Sequence, residues 1–120
     1  MVKLGAMLSD ADLPTGSAAT PVYALLTTGA TAMAFGTNTA VKVTPNAAAT
    51  YTTTVPAAGE VRTLIILTSG TTSRTITFGT GFKSKGTLAT GTANARVFVF
   101  LWVSDGVNLY EASRTTAIVA

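Results

Sequence analysis

The chain contains no histidine and no cysteine. That removes the usual general base near neutral pH, the soft ligands of zinc and copper, and the thiolate nucleophile. The remaining acidic side chains are Asp10, Asp12, Glu60, Asp105 and Glu111. Asp10 and Asp12, with Ser9 beside them, could offer oxygen ligands to a calcium ion, but the other ligands of a calcium loop are missing. A solvated tail or the cap of a short helical turn is the simpler account of them. Asp105 and Glu111 would form a glycosidase-like pair only if their carboxyls stood about 5 to 10 Å apart in a cleft. The sequence gives each a simpler part: Asp105 is the turn residue before Gly106, and Glu111 is an outward strand residue. The repeated Gly-Thr steps are not followed by the Lys-Ser or Lys-Thr of a phosphate loop, so glycine here points to turns. Lys83 and Lys85 around Ser84 could touch a phosphate or an acidic protein surface, or simply be solvated. The expectation is a protein without enzymatic activity, cofactor or metal.

Eight lysines and arginines against five acids leave a formal charge of +3, scattered from Lys3 to Arg114. This is too dilute for a nucleic-acid footprint, and the aromatic run around Phe98, Phe100 and Trp102 has no interleaved Arg or Lys. No apolar stretch approaches the roughly 18 residues needed to span a bilayer. Met1 to Leu8 carries no apolar run of secretory length, and cysteine is absent. Both features point to synthesis in a cytosol, with no nucleic-acid or membrane partner expected.

Elements must position whatever chemistry remains. The chain of 120 residues fits one domain. A fifth of it is threonine, which with Val, Ile, Phe and Tyr favours strands, while Gly, Asn, Asp and Ser supply turns. Residues 1–20, rich in Ala, Gly, Ser and Asp, read as an extended N-terminal arm. The one weak helical candidate, Leu4 to Leu13, is stopped there by Pro14. Residues 21–120 read as the β domain. Strands are expected at Pro21 to Thr27, Thr39 to Thr44 (Val41 and Val43 inward, Lys42 outward) and Tyr51 to Val55. Further ones follow at Glu60 to Ser69, Arg74 to Phe78, Arg96 to Ser104 and Val107 to Ser113.

Leu64 to Leu67 is an uninterrupted apolar run, so both faces of that strand should be covered. Gly79 and Gly81 permit a bend before Phe82, and Asp105-Gly106 marks a hairpin. Two faint echoes, Leu26-Thr-Thr-Gly29 with Phe35-Gly-Thr37 and Leu67-Thr-Ser-Gly70 with Phe78-Gly-Thr80, suggest either related halves or mere composition. The expected architecture is all-β: a single small antiparallel β-sandwich or barrel, jelly-roll-like or β-tulip-like.

One strand is apolar on both sides. Val97, Val99, Leu101 and Val103 line one face, and Phe98, Phe100 and Trp102 the other. The aromatic face is either the second layer of a sandwich core or a subunit interface; burying its rings contributes several kcal/mol at about 25 cal/mol per Å².

The segment Arg74-Thr-Ile-Thr-Phe-Gly-Thr-Gly-Phe82, followed by Gly86-Thr-Leu-Ala-Thr-Gly91, resembles a short module of tailed-bacteriophage structural proteins. Arg96-Val-Phe-Val-Phe100, Ser104-Asp-Gly-Val-Asn108 and Leu109-Tyr-Glu-Ala-Ser-Arg114 are similar to the closing hairpin of such modules, with Leu109 where the family usually has an aromatic residue. The likeness covers Glu60 to Thr116. It implies a virion protein, commonly a homotrimer, that decorates and cements the capsid exterior after synthesis in the host cytoplasm. The major capsid protein would then be its partner, with Lys3, Leu4, Met7, Leu8 and Leu13 of the arm as candidate capsid contacts. The alternative implied is a fibre-tip or receptor-binding module that recognises a cell-surface glycan.

Overall fold

The structure, a computed structural model, describes residues 21–120. The expected arm, including Lys3, Leu4, Met7, Leu8, Leu13 and the Asp10/Asp12 pair, lies outside the described residues. The described chain is all-β, with ten strands and no helix.

Its first half coils. After β1 (Tyr23–Leu25) the chain crosses the molecule, where Ala32 bridges Thr52 in parallel. It returns as β2 (Ala40–Val43), parallel to β1, and crosses again as β3 (Ala49–Tyr51). It then returns as β4 (Val61–Leu67), parallel to β2, and crosses as β5 (Thr75–Phe78), parallel to β3. Successive turns therefore stack as in a solenoid. The second half reverses direction: β7 (Leu88–Ala89) runs antiparallel to β5, and β8 (Arg96–Ser104) antiparallel to β4. β9 (Leu109–Arg114) turns back on β8, β6 (Phe82–Lys83) lies parallel to β9, and β10 (Ile118–Val119) pairs with the first residues of β8. The result is a seven-stranded sheet in the order β1-β2-β4-β8-β9-β6, with β10 also on β8, and a three-stranded sheet β3-β5-β7.

The expected antiparallel arrangement is thus corrected to a mixed one. Alternation along a strand says which face is buried but not which way the neighbour runs. The long excursions through the second sheet are what permit parallel return. Register puts Leu25 beside Lys42 and Lys42 beside Ile65, so of the echoed segments Leu26 is level with Ile66, not with Leu67.

Side chains of the two sheets meet in one core. β4 and β8 pair from Val61 with Val103 to Leu67 with Val97, so Arg62/Trp102, Leu64/Phe100 and Ile66/Phe98 share the inner face. Phe78, from the small sheet, lies with its ring centroid 5.1 Å from those of both Phe100 and Trp102, and Phe82 stands 4.6 Å from Trp102. Phe35 meets Phe82 edge-on at 6.1 Å, and Tyr51 meets Phe78 at 6.2 Å. Such offset and edge-to-face pairs add to the burial term. Phe98, Phe100 and Trp102 are therefore core residues. Gly81, at φ +92°, makes the sharp turn that delivers Phe82; a Cβ there would come within 2.4 Å of the Thr53 carbonyl oxygen.

One cation reaches this interior. Arg62 is buried and donates from Nε to the Phe35 carbonyl at 2.8 Å, from NH1 to the Val61 carbonyl at 3.0 Å, and from NH2 to Glu60 at 2.6 Å. The bonds satisfy the guanidinium and tie the loop carrying Phe35 to β4. By contrast Tyr51 Oη and Trp102 Nε1 are buried with no hydrogen-bond partner among the described residues.

Truncating Trp102 to alanine should cost roughly 3 to 5 kcal/mol in urea unfolding; a wild-type midpoint and slope would contradict its core position. Burial pushes the Tyr51 hydroxyl up to about 12 from 10.0. The folded state therefore keeps a proton that the unfolded state releases above pH 10. The stability Tyr51 contributes is complete below pH 10 and falls by about 1.4 kcal/mol per pH unit as the pH rises towards 12. Tyr51→Phe removes both the unpaired hydroxyl and this loss. It should raise stability by about 1 kcal/mol at pH 7, with the gap to wild type widening above pH 10; a gap independent of pH would refute the assignment.

Candidate functional site: the open face of the large sheet

With the rings turned inward, β8 presents Val97, Val99, Leu101 and Val103 on the other side of the sheet. Register places Val61 beside Val103, Thr63 beside Leu101, Ile65 beside Val99 and Leu67 beside Val97. No strand, loop or second sheet among the described residues covers this face. Val61 is 50% exposed, Leu101 40%, Val103 39% and Tyr110 46%, while Ile65, Leu67, Val97 and Val99 are half-buried by their neighbours in the sheet. The expectation that both faces of β4 are covered is thus corrected: its inner residues are buried, while of its outer ones Val61 is exposed and Thr63, Ile65 and Leu67 are half-buried.

The open face has an ordered composition. Its middle, β4 and β8, is aliphatic apart from Thr63. On one side Lys42 lies level with Ile65, and β1 adds Tyr23 and Leu25 at 56% and 69% exposure. On the other side Tyr110 pairs with Val103, and Lys83 lies beside Tyr110. An apolar centre with tyrosines and lysines at the margins is the anatomy of a protein contact surface.

The residues weighed for chemistry go elsewhere. Asp105 is in its turn: Oδ1 accepts the backbone N–H groups of Val107 and Asn108, both at 2.8 Å, and these bonds hold its carboxyl below the usual range. Glu111 was expected to point outward, but its side chain is 1% exposed. The pairing accounts for it: Leu109 faces the core opposite Ser104, and Glu111, two residues on, stands opposite Trp102 on the same face. Beyond it Ala112 is an extra residue between the Trp102/Glu111 and Leu101/Ser113 pairs, and this irregularity turns Arg114 inward as well, opposite Phe100. Glu111 accepts Arg114 Nε at 2.6 Å and the Lys85 backbone N–H at 2.9 Å. Arg114 also donates to the carbonyls of Thr87 and Gly86 and lies 4.9 Å above the Phe100 ring. The group closes the rim of the core and anchors the loop bearing Lys83 and Lys85. Every Glu111 partner belongs to this anchor, and Asp105 is engaged by its own turn.

A shallow hollow of about 320 Å³ lies on the outer side of the small sheet, lined by Ala48, Ala49, Thr50, Thr75 and Thr77. No aromatic side chain lines it. Among the described residues no group of three or more acidic side chains is placed to hold a metal ion, and no helix is long and apolar enough to cross a membrane.

Composition singled out the aromatic side of β8, whereas the surface left open is the aliphatic side. The signal for it was present in the alternate residues of the same strand. Comparison of the chain with family models, curated proteins and solved structures finds no match.

Burial raises the Glu111 pKa, but the Arg114 and Lys85 N–H bonds outweigh it and leave the carboxyl below its ordinary 4.5. The stability it contributes is therefore complete above pH 4.5 and disappears as the pH falls through the folded-state value. Glu111→Gln should cost about 1 to 3 kcal/mol at pH 7, and the deficit should shrink steadily below pH 4.5; a deficit unchanged down to acid unfolding would show that the charge plays no part.

Proposed function

We propose that this chain is a structural virion protein, not an enzyme, which binds the outer surface of an assembled phage capsid as a homotrimer and stabilises it. The observation that carries the reading is the open face of the large sheet, an uncovered apolar surface on a domain whose core is otherwise closed. The likeness of residues 60–116 to phage structural modules supplies the setting: the capsid exterior, with the major capsid protein as partner. Residues 21–120 are read as the β domain, layered as a sandwich in that two sheets enclose one ring-filled core, with residues 1–20 as an arm that reaches capsid subunits through Lys3, Leu4, Met7, Leu8 and Leu13.

The mechanism is mass action. A protein that binds the expanded shell, and not its precursor, shifts the equilibrium towards the shell by its binding free energy. Three linked copies turn weak contacts into firm attachment without any new type of contact. No cofactor, membrane or nucleic acid takes part.

A fibre-tip module recognising a glycan is the second reading. The hollow lined by Thr50, Thr75 and Thr77 favours it, since its hydroxyls can pair with those of a sugar. The lack of an aromatic platform in that hollow leaves the cement reading ahead.

The test mixes the purified protein with precursor and expanded shells of the phage that carries the gene. Co-sedimentation with expanded shells only, and a higher shell melting temperature, are expected. Protein left wholly in the supernatant of both would overturn the proposal.

A further inference from the structure

Resting on the homotrimer just proposed, we infer that the open face of the large sheet is where copies of this chain meet, the sheets turned inward around an axis parallel to β4 and β8. The occupants of each face are the two other copies, one at its β1 margin and one at its β6 margin.

Three observations lead there. The first is extent. Seven residues of β4 at about 3.3 Å each, and five strands from β1 to β9 at about 4.8 Å spacing, give a footprint on the order of 400 Å² in projection. Two of the five strands, β4 and β8, form the apolar centre of this footprint and the others its margins, so centre and rim together stand at the small end of protein contacts.

The second is the distribution of charge. The centre holds no ionisable side chain, so two copies can bring their centres together without burying an unpaired charge. The charges sit at the margins, Lys42 towards β1 and Lys83 beyond β9, and the strand registers place no carboxylate on this side of the sheet.

The third fixes the axis. A two-fold axis perpendicular to the strands would lay β2 over β2 and set Lys42 against Lys42. An axis along the strands instead brings the β1 margin of one copy to the β6 margin of the next. Lys83 then meets the margin of the neighbour that carries Tyr23, an exposed ring able to receive a cation. Rotation by a third of a turn about such an axis, as the proposed homotrimer requires, makes the contact heterologous and closes the ring of three.

The experiment is the solution mass of the full chain by light scattering, with circular dichroism as a check on folding. Wild type should scatter as three chains, and Leu101→Asp should bring the mass down about threefold with an unchanged spectrum. Should Leu101→Asp lose its strand signal, Val103→Lys replaces it, because a lysine at the end of the face can reach solvent through its long stem. Thr77→Asp, on the outer side of the small sheet, should leave the mass unchanged. A monomeric wild type, or a trimer unmoved by the open-face substitutions, overturns the inference. Shell co-sedimentation by the same samples separates the two ideas: a trimer held by another surface that still binds shells defeats only the choice of face, whereas an open-face trimer that binds no shell defeats only the cement role.

Discussion

The structure depends on a ring cluster that joins two sheets of unequal strength. The small sheet is built from strands of three, four and two residues, too little hydrogen bonding to persist alone in water. What holds it is Phe78, whose ring touches Tyr51 within its own sheet and Phe82, Phe100 and Trp102 across the core. Once β8 commits its rings to that contact, the two-residue period of the strand sends Val97, Val99, Leu101 and Val103 to the far side. The core and the open face are thus two results of one choice of rotation for a single strand.

The rim of the core follows the same constraint. A large aromatic interior needs closure where the sheets diverge, and two arginines provide it, each paired with a glutamate and each donating to backbone carbonyls. Arg62 draws the Phe35 loop down onto β4, and Arg114 draws the residue 83–88 loop onto β9. Two of the three acidic side chains of the β domain, Glu60 and Glu111, are spent in this way.

Much of this was legible beforehand. The alternation of Val41, Lys42 and Val43, the two-sided β8 and the Asp105-Gly106 turn all appear where their side-chain patterns place them. Strand direction was not, because a period of two is the same for parallel and antiparallel neighbours. The third strand lies at Ala49–Tyr51 instead of Tyr51 to Val55, since the threonines after Tyr51 bind the Phe35 loop through Thr53 and Thr54 and leave no continuous ladder. Glu111 faces inward because it continues the alternation of buried Leu109, whereas Arg114 does so only because one extra residue, Ala112, resets that alternation, and nothing in the local residue types announces it. The two-faced apolar character of β8 was readable; which face would be inside was decided by volume, since only the rings fill the gap between the sheets.

The parallel stacking of the first half has a consequence for the order of assembly. β1, β2 and β4 pair only with strands reached after a long detour, and closing such loops costs entropy before any contact repays it. Among the described strands, the antiparallel pair joined by a tight turn is β8–β9, near the end of the chain. During synthesis the segment best able to fold by itself therefore emerges after β1, β2 and β4, and these earlier strands wait, with their valines and leucines uncovered, for a template not yet made. A chain of this design is exposed to misassociation while it is on the ribosome, and the charges that interrupt its early apolar strands, Lys42 in β2 and Arg62 in β4, are what lowers that hazard.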